Sequence, residues 1–480
     1  MNAGIELLFL SFELLGDLQM QEVRQNTKMI KSKFKLTPIT FLFVLFLSLA
    51  GCNKIAEKPA VIVPQDVANK PLSVRVSPSN VNSGEPAIAG ASDGSVFVTW
   101  VEHKKGKEAN VFIKRFAGDG KPLSEPVRVN PQPEQATAWR GDPPTVVVGS
   151  DNTVYVGWTA RIESSEASAN DLYVSVSRDG GRSFNAPSKI NDDPMPGPHG
   201  MHSLAVDKDG RILVAWLDER YLKKEAASPK QTSNLRQSLP EGYQFEKVQA
   251  DGNQKKHQHQ HKEPNREVYF SMSKDGGKSF SANKRLAGDV CPCCKTSVLA
   301  APDGRVYVGW RQVLKDDFRH IAVASSANGG ESFAPAVIVS DDRWQIVGCP
   351  VSGAALATDA GNRLKVAWFT AGDAGVPGLY SAESTDGGKT FSPRTLISDV
   401  AGSGTPILLF DATEGYRIVW SGRDENLLAA NTEPSTGSST NVREMRGLFP
   451  AAALAGGQLF TSYIKLEGEN RSIWLSNISK

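Results

Sequence analysis

The sequence predicts an all-β fold built from repeated four-stranded units. The main observation is a short apolar strand that ends in an aromatic residue and recurs along the chain. Three of the six intervals between these aromatic residues are 58 residues long. Internal similarity at such a period, with β-branched and aromatic residues in each copy, is typical of a β-propeller with four strands in each blade. The copies end at Trp100, Trp158, Trp216, Trp310, Trp368, Trp420 and Tyr463.

Polar turns next to this strand are the second observation. The first five copies each follow a short turn, for example Ser92-Asp93-Gly94. Asp, Asn and Gly tolerate the positive φ of tight hairpins. The seven copies predict seven four-stranded blades, with six blades as the alternative if residues 404–480 form one irregular blade. In the seven-bladed count, residues 72–76 form an outer strand that closes the ring by joining residues 449–478.

A third observation is an eight-residue motif that recurs four times in later turns. Each copy combines Ser, then Asp or Asn, then Gly-Gly, and ends in Phe. The side-chain oxygens are expected to accept backbone N–H bonds within the turn, and the glycines supply left-handed conformations. The phenylalanine is expected to pack between neighbouring sheets. The copies occupy residues 177–184, 273–280, 326–333 and 384–391.

This motif is the Asp-box, or BNR repeat, and through it the chain resembles the sialidase-like superfamily of propellers over about 400 residues. The resemblance implies that these turns lie on the face opposite the functional site. Active sialidases resemble one another in six blades, an Arg-Ile-Pro motif and a late nucleophilic tyrosine paired with a glutamate. Here Arg161, Arg211 and Arg417 precede isoleucine, but no proline follows. No tyrosine is identifiable by motif as the nucleophile, so exo-sialidase activity is a secondary hypothesis.

The composition limits the classes of partner. The 480 residues carry a net charge of +2, and they show no basic stripe with interleaved aromatic residues. A nucleic-acid partner is therefore not expected.

The N-terminal region has the pattern of an export signal. Lysines at 31, 33 and 35 precede an apolar run at 41–50, which closes on Leu49-Ala50-Gly51-Cys52. This order resembles a bacterial lipoprotein signal in which Cys52 is lipidated. We therefore expect a signal region at 1–52 whose real start is Met29, and a tether at 53–70. Asn53 after the lipidated cysteine favours an outer-membrane lipoprotein that faces the periplasm.

One long insertion interrupts the repeat after Trp216. The segment at about 221–265 is polar and rich in Lys and Gln, so it is expected to be a disordered loop. Its histidine run at 257–261 could gather a metal, but a solvated loop is the favoured interpretation.

Propeller geometry predicts that unusual residues at strand ends share one face. The connections before the first strands and after the second strands of the blades meet around one end of the central channel. We expect the functional loops to cluster there. The residues that these loops contribute are Arg140, Asp142, His199, Met201, His202, Asp218, Glu219, Arg220, Cys291, Cys293, Cys294, Arg311, Arg319 and Cys349.

The four cysteines that remain after lipidation permit two interpretations. In an oxidising compartment, Cys291, Cys293, Cys294 and Cys349 suggest disulfides, with one bond from the cluster to Cys349 easy to place. A second bond from Cys291 is harder to place. The alternative is a copper or zinc site that adds His199, Met201 and His202 to the thiolates. The C-x-C-C cluster differs from the usual zinc spacing of C-x-x-C, and disulfides are the favoured interpretation.

The charged residues of this face also permit two interpretations. Arg140, Arg220, Arg311 and Arg319 could bind a carboxylate or sulfate through paired guanidinium hydrogen bonds. The residues Asp142, Asp218 and Glu219 could serve as general acids or bases. Alternatively, the arginines pair with these acids and join adjacent blades.

The leading functional hypothesis is a lipid-anchored binding or scaffold module. Its Cys/His/Arg face would hold a glycan or envelope-protein partner, an anionic ligand or a soft metal. The first alternative is an exo-sialidase-like glycoside hydrolase that acts on acidic sugars. The second alternative is an envelope protein for copper handling or redox chemistry. No cofactor is assigned, with copper and zinc as the possibilities.

Overall fold

The computed structural model describes residues 73–104, 108–137, 142–162, 169–220, 265–346, 348, 350–432 and 439–479. These residues all belong to one compact unit, Asn69–Lys480. Within them the chain has 29 strands and one short 3₁₀ turn at Lys315–Asp317, which confirms the all-β prediction. None of the described helical segments has the length and hydropathy to span a membrane. The predicted signal region, the tether and residues 221–264 of the predicted insertion lie outside the described residues.

The strands pair antiparallel in chain order and form sets of four. In the first half of the chain, the strands are β1 (Ser73–Arg75), β2 (Ser83–Gly90), β3 (Val96–His103), β4 (Glu108–Phe116), β5 (Val127–Arg128), β6 (Ala136–Thr137), β7 (Thr145–Val148), β8 (Val154–Arg161), β9 (Asn170–Ser177), β10 (Ser188–Lys189), β11 (His199–Val206), β12 (Ile212–Asp218), β13 (Arg266–Ser273) and β14 (Lys284–Val290). The sets in this part are β2–β5, β7–β10 and β11–β14.

The second half continues the same pattern. Its strands are β15 (Ser297–Ala300), β16 (Val306–Val313), β17 (Arg319–Ser326), β18 (Val337–Ile338), β19 (Ala354–Thr358), β20 (Leu364–Thr370), β21 (Gly378–Ser384), β22 (Thr395–Ser398), β23 (Ile407–Asp411), β24 (Gly415–Ser421), β25 (Asn426–Thr432), β26 (Ser439–Arg446), β27 (Leu448–Ala455), β28 (Gln458–Glu467) and β29 (Asn470–Asn477). The sets are β15–β18, β19–β22, β23–β26, and β27–β29 with β1.

Hydrogen bonds merge some of these sets into larger sheets. The short strand β6 pairs with both β4 and β8, which joins the first two sets. Val290 of β14 pairs with Gln312 of β16, which joins the next two. The result is five sheets of four, nine, eight, four and four strands.

The N-terminal strand completes the last sheet. Ser73 of β1 lies opposite Ser476 of β29, which is the pairing predicted from the sequence. Residues 404–480 contribute to two separate four-stranded sheets. The first strands of the sets contact one another in the order β2, β7, β11, β15, β19, β23 and β27, and β27 also contacts β2.

The aromatic residues that mark the repeat lie in the core. Trp158 and Trp216 are at most 1% exposed, and the second strands around them are buried on both faces. A strand buried on both faces requires another layer on each side, which neighbouring sheets provide. Trp158 also stacks on Tyr173 of β9, with ring centroids 5.4 Å apart. The apolar repeat therefore builds the packing between successive sheets.

The Gly-Gly turns have the hydrogen bonds expected from their residues. In the copy at 273–280, Asp275 Oδ1 accepts the backbone N–H groups of Lys278 and Ser279 at 3.0 Å, and Ser273 Oγ accepts the Gly277 N–H at 2.9 Å. Gly277 has a φ of +84°, and a Cβ there would lie 2.8 Å from a neighbouring Val176 methyl group. Only glycine fits this position without strain.

Candidate functional site

Buried contacts join the predicted site loops of three consecutive sets. Asp142, which precedes β7, accepts the Met201 N–H at 2.9 Å. The Met201 carbonyl in turn accepts the N–H and the hydroxyl of Thr296, at 3.0 and 2.8 Å. Thr296 follows the cysteine cluster and precedes β15. The structure thus brings Asp142, Met201 and the cysteine cluster together, as their positions at strand ends predict.

An imidazole and an amine lie close to Asp142. His202 Nδ1 is 3.7 Å from Asp142 Oδ1, and neither ring nitrogen of this buried histidine has a hydrogen-bond partner. Burial lowers the pKa of Lys295 to about 8, although the charge of Asp142 partly opposes this effect. A carboxylate, an imidazole and an amine with a pKa near neutrality can together transfer protons.

Asp218 is the centre of a second buried network. It is 0% exposed and accepts the Trp216 Nε1–H at 2.9 Å and the Arg220 Nη2–H at 2.8 Å. Arg220 also donates to Asp192 at 2.6 Å and stacks 4.3 Å above the ring of Tyr269. The pKa of Asp218 is lowered, because ion pairing and hydrogen bonds outweigh the opposing effect of burial. Asp218 is therefore an ionised acceptor with its partners in place.

His199 completes this network. Its Nδ1–H donates to the Asn170 carbonyl at 2.6 Å, and its Nε2 lies 3.1 Å from Asp193 and 3.4 Å from Asp218. Burial alone would lower the pKa of His199, but the two carboxylates raise it to about 10. A protonated imidazole has no lone pair to offer, so in this state His199 is an ion-pair partner rather than a metal ligand.

Glu219 is also paired. Its carboxylate contacts Arg266, and both side chains are largely buried. Asp218, Glu219 and Arg220 thus lie in ion pairs that connect neighbouring strands and loops, which is the alternative role considered for them from the sequence.

Three cysteines of the cluster lie in the described part of the chain. Cys293 is disulfide-bonded. Cys291 and Cys294 are both 0% exposed, and their Sγ atoms are 2.8 Å apart. These two cysteines have the C-x-x-C spacing within C-x-C-C.

The cluster has limited capacity for a metal. The three Sγ atoms lie within 4.8 Å of one another, but the Cys293 sulfur is already bonded. Two thiolates on a tetrahedral zinc would be about 3.8 Å apart, given Zn–S bonds of about 2.3 Å. The separation of the Cys291 and Cys294 sulfurs is shorter, so the observed pair is better placed for a disulfide than for metal coordination.

The two thiols differ in acidity. The pKa of Cys291 is lowered to about 6, mainly because Cys294 donates its S–H, with further contributions from the Cys293 N–H and the charges of Arg311 and Arg319. Burial raises the pKa of Cys294 well above its usual value. Cys291 is therefore the more acidic of the two thiols.

Arg311 is buried beside this pair without a carboxylate partner. It is 0% exposed and donates to two carbonyls, Ser352 O at 2.7 Å and Phe369 O at 2.9 Å. Its guanidinium lies 4.9 Å above the ring of Trp344, and Nη1 has no hydrogen-bond partner among the residues that the structure describes. The Ser352 N–H donates toward Cys294, so Ser352 connects the arginine to the thiol pair.

Arg319 is the second buried guanidinium. It is 2% exposed, and no hydrogen-bond partner of its Nε and Nη1 lies in the described part of the chain. Arg311 lies opposite Ile321, and Val313 lies opposite Arg319, so both arginines project from the same face of the sheet. Within the described residues, neither guanidinium forms an ion pair with a carboxylate. We refer to Cys291, Cys293, Cys294, Arg311 and Arg319 as the thiol–arginine cluster.

Some predicted site residues lie outside the described part of the chain. These are Arg140, Cys349 and the lipidation candidate Cys52. The proposed bond between the cluster and Cys349 therefore stays a prediction.

Three residues of the site were missed by the sequence argument. Lys295 directly follows the cysteines, Trp344 stacks under Arg311, and Asp193 faces His199. Lys295 was the one that the sequence could have indicated, because it adjoins the predicted cluster. The other two reach the site from loops that have no motif.

Comparisons with known proteins give structural similarity without a family. No protein-family model and no curated protein matches the chain. Solved structures with a similar arrangement include sialidases, arabinanases and a polysaccharide lyase.

Three of these structures show the extent of the similarity. An α-L-arabinofuranosidase from Fusarium graminearum is 12% identical, covering 85% of this chain and 97% of its own, with a TM-score of 0.46. A protein of unknown function from Dyadobacter fermentans is 14% identical, covering 84% and 97%, with a TM-score of 0.45. A sialidase from Trypanosoma rangeli, solved with sialic acid, is 10% identical, covering 85% and 57%, with a TM-score of 0.43. At TM-scores below 0.5, none of these similarities assigns an activity to this chain.

Proposed function

We propose that this protein is a lipid-anchored β-propeller that binds an anionic ligand at its thiol–arginine cluster. The observation that carries the proposal is a pair of buried arginines in which three nitrogen atoms, Arg311 Nη1 and Arg319 Nε and Nη1, have no hydrogen-bond partner in the described part of the chain. Leaving a buried guanidinium without an anion costs several kcal/mol, so such a pair is retained where an anion occupies the site. A carboxylate or sulfate group, as found on acidic sugars, suits paired guanidinium donors.

The propeller part of the proposal rests on strand pairing and on contacts between sets. Seven four-stranded sets, each with a first strand that contacts the next, suit a ring of seven blades with β1 as the outer strand of the last. The four Asp-box turns support membership of the sialidase-like propellers.

The lipid anchor and the location are proposed from the sequence. Cys52 closes the lipoprotein-type signal, and Asn53 favours the outer membrane facing the periplasm. Metabolic labelling with a radioactive fatty acid should label the chain and should fail for Cys52→Ala. Labelling of the variant would contradict the anchor.

Binding is tested with three separate probes, namely sulfate, glucuronate and sialic acid. Isothermal titration of the full chain, purified in mild detergent, should detect at least one of them. Arg319→Met and Arg311→Met should each weaken binding roughly tenfold or more, because each removes a charge-assisted donor. The control is Arg285→Met, an exposed arginine paired with Glu267.

The stability of Arg319→Met separates ligand binding from a structural role. Because the Arg319 guanidinium has no ion-pair partner among the described residues, its replacement by an apolar side chain should leave the melting temperature unchanged or raise it. Unchanged affinity for all probes in both arginine variants would overturn the proposed site.

A second candidate function is acid–base catalysis on an acidic sugar. The observation that favours it is the group of Asp142, His202 and Lys295, in which the amine has a pKa of about 8. Cleavage of acidic glycosides should then fall by about 100-fold in Asp142→Asn. Glu331→Gln, in an exposed turn, should retain it. A screen of acidic glycosides without cleavage by the native chain would eliminate this candidate.

A further inference from the structure

Lys295 lies in the loop between β14 and β15, and its exposure differs from that of the residues beside it. Cys294 and Thr296, on either side, are 0% and 3% exposed, whereas Lys295 is partly exposed. A Cβ on Gly353 would lie 2.3 Å from the Lys295 carbonyl oxygen, so the loop before β19 packs directly against this backbone. The backbone at Lys295 is therefore held by its surroundings, while the side chain keeps accessible surface.

The amine of Lys295 has no partner within the described part of the chain. It forms no ion pair with a carboxylate there and donates no hydrogen bond. Lys365 shows the contrasting case, because it is 1% exposed and its amine donates to Glu383 at 3.0 Å. Lysines that the protein surrounds are usually paired in this way. The Lys295 amine thus keeps its bonding capacity for a ligand.

Asp142 and His202 supply groups for proton transfer near this amine. The charge of Asp142 acts on Lys295, and Asp142 Oδ1 is 3.7 Å from His202 Nδ1. His202 is 1% exposed, and neither of its ring nitrogens has a hydrogen-bond partner among the residues described. Burial lowers the pKa of Lys295 to about 8, so more of this amine is neutral and nucleophilic at pH 7.5 than in an ordinary lysine. Such an amine, next to a carboxylate and an imidazole, suits addition to a carbonyl group.

We propose that Lys295 is a covalent attachment site, at which its amine forms an imine with the carbonyl group of a small aldehyde or keto acid. Asp142 and His202 exchange the protons of this reaction. The inference goes beyond the proposed anion binding, because it involves neither Arg311 nor Arg319. It also differs from glycoside cleavage, since no glycosidic bond breaks and Lys295 itself becomes bonded to the ligand.

The reaction balances without an oxidant or a reductant. The lone pair of the neutral amine adds to the carbonyl carbon, which forms a C–N bond and moves the electron pair of the C=O π bond onto oxygen. The nitrogen loses one proton and the oxygen gains one, which gives a carbinolamine. The nitrogen then loses its second proton, and the hydroxyl group leaves with a proton as one water molecule while the C=N bond forms.

The experiment treats the full chain at pH 7.5 with pyruvate in one arm and with glycolaldehyde in the other. Sodium cyanoborohydride, which reduces imines faster than carbonyl groups, converts each adduct into a stable secondary amine. Peptide mass mapping over time then compares Lys295 with Lys121, an exposed lysine paired with Asp119. In at least one arm, Lys295 should be modified roughly tenfold or more faster than Lys121, because a larger share of its amine is neutral.

The two arms identify the class of ligand, and a variant identifies the residue. Modification by pyruvate alone assigns a keto acid, and modification by glycolaldehyde alone assigns an aldehyde. Lys295→Arg keeps the positive charge but cannot form the imine, so its peptide should carry no adduct in either arm. Lys365 is the buried control within the native chain, and it should stay unmodified because Glu383 holds its amine.

The comparison between Lys295 and Lys121 uses the native chain, so it holds even where Lys295→Arg fails to fold. A Lys295 peptide without an adduct in both arms would overturn the covalent site. Modification of Lys121 at an equal or greater rate in both arms would overturn it as well. Neither result affects the anion site, which is tested separately by the binding of sulfate, glucuronate and sialic acid.

Discussion

His199 is a buried charge whose protonation the surrounding carboxylates maintain. Its pKa of about 10 in the folded chain exceeds the usual value, so this group stabilises the fold fully below about pH 6.5 and loses that contribution as pH rises through 10. The groups that face it are Asp193 and Asp218, and Arg220 lies on the far side of Asp218. Between pH 7 and 10 we expect its contribution to the free energy of unfolding to fall on the order of 3 kcal/mol.

Urea unfolding of the native chain and of His199→Gln, at several pH values in this range, checks the prediction. The variant should be less stable at pH 7, and between pH 7 and 10 its free energy of unfolding should rise relative to that of the native chain. Lys295 titrates in the same window with the opposite sign, because its lowered pKa of about 8 imposes a penalty that higher pH relieves. Lys295→Met is therefore the control, in which the decrease due to His199 should appear without this offset. An equally steep decrease in His199→Gln would show that another group is responsible.

At the residue scale, the sequence indicates which residue types are unusual but not which of them are paired. From the sequence, Asp142 and Asp218 could each be a general acid or base or an ion-pair partner of an arginine. The structure gives Asp218 a full set of partners within two residues and across the neighbouring loop, whereas Asp142 lies 3.7 Å from His202 Nδ1 and its charge raises the pKa of Lys295 against the effect of burial. Pairing depends on side-chain direction and burial, and one sequence does not supply either.

The Asp-box turn is the element whose stability the structure explains most directly. Asp275 accepts two backbone N–H bonds and the hydroxyl of Ser279, and these bonds lower its pKa. Asp275→Ala should lower the free energy of unfolding by about 1–2 kcal/mol, because it leaves those donors without an acceptor. Asp275→Asn should lower the free energy of unfolding by less. In the copy of the turn at 326–333, the natural residue Asn328 accepts the equivalent backbone N–H, that of Ser332, at 2.9 Å.

Thermal unfolding of the two variants tests this order. The matched control is Asp119→Ala, an exposed turn aspartate that pairs mainly with Lys121 and should have a small effect. If Asp275→Ala and Asp275→Asn were equally stable, the stability of the turn would not depend on the side-chain oxygen that asparagine keeps at position 275.

At the element scale, the sequence predicts the long strands and the turns because their signals are local. The tryptophan-ended strands such as β8 and β12 have continuous apolar runs, and Asp-box turns depend on residues within eight positions. The short outer strands cannot be predicted from such local patterns. β10 and β18 have only two residues each, and their position is set by pairing with the third strand rather than by their own composition.

At the scale of the whole molecule, the internal repeat predicts how many units the chain contains, because each unit carries its own copy of the pattern. The repeat does not predict contacts between units. The hydrogen bonds from Asp142 through Met201 to Thr296 connect three consecutive sets of strands. The hydrogen bond from Arg311 to the Ser352 carbonyl adds the next set. These contacts depend on loop conformations, including the left-handed backbone of Met201 at φ +51°, that no repeat signal encodes.

The N-terminal strand β1 is expected to contribute measurably to the stability of the whole fold. β1 places Ser73 within 2.7 Å of the Ser476 hydroxyl, and the next residues bury Val76 to 3% exposure against the last set. A chain that begins at residue 78 loses these contacts, whereas one that begins at residue 70 keeps them. We expect the shorter chain to lose about 3–5 kcal/mol of unfolding free energy, from apolar burial and the strand hydrogen bonds.

Removing β1 also exposes the edge of β29, and an open edge strand invites pairing with another chain. Size-exclusion chromatography should therefore show oligomers for the chain from residue 78 and a single species for the chain from residue 70. Arg75→Ala in the longer chain removes partly exposed contacts, mainly the ion pair with Glu467, and should remain close to native in both measurements. Equal melting temperatures and equal elution of the two truncated chains would mean that β1 does not hold the ends of the chain together. The proposed ring would then have to close through the contact between β27 and β2 alone.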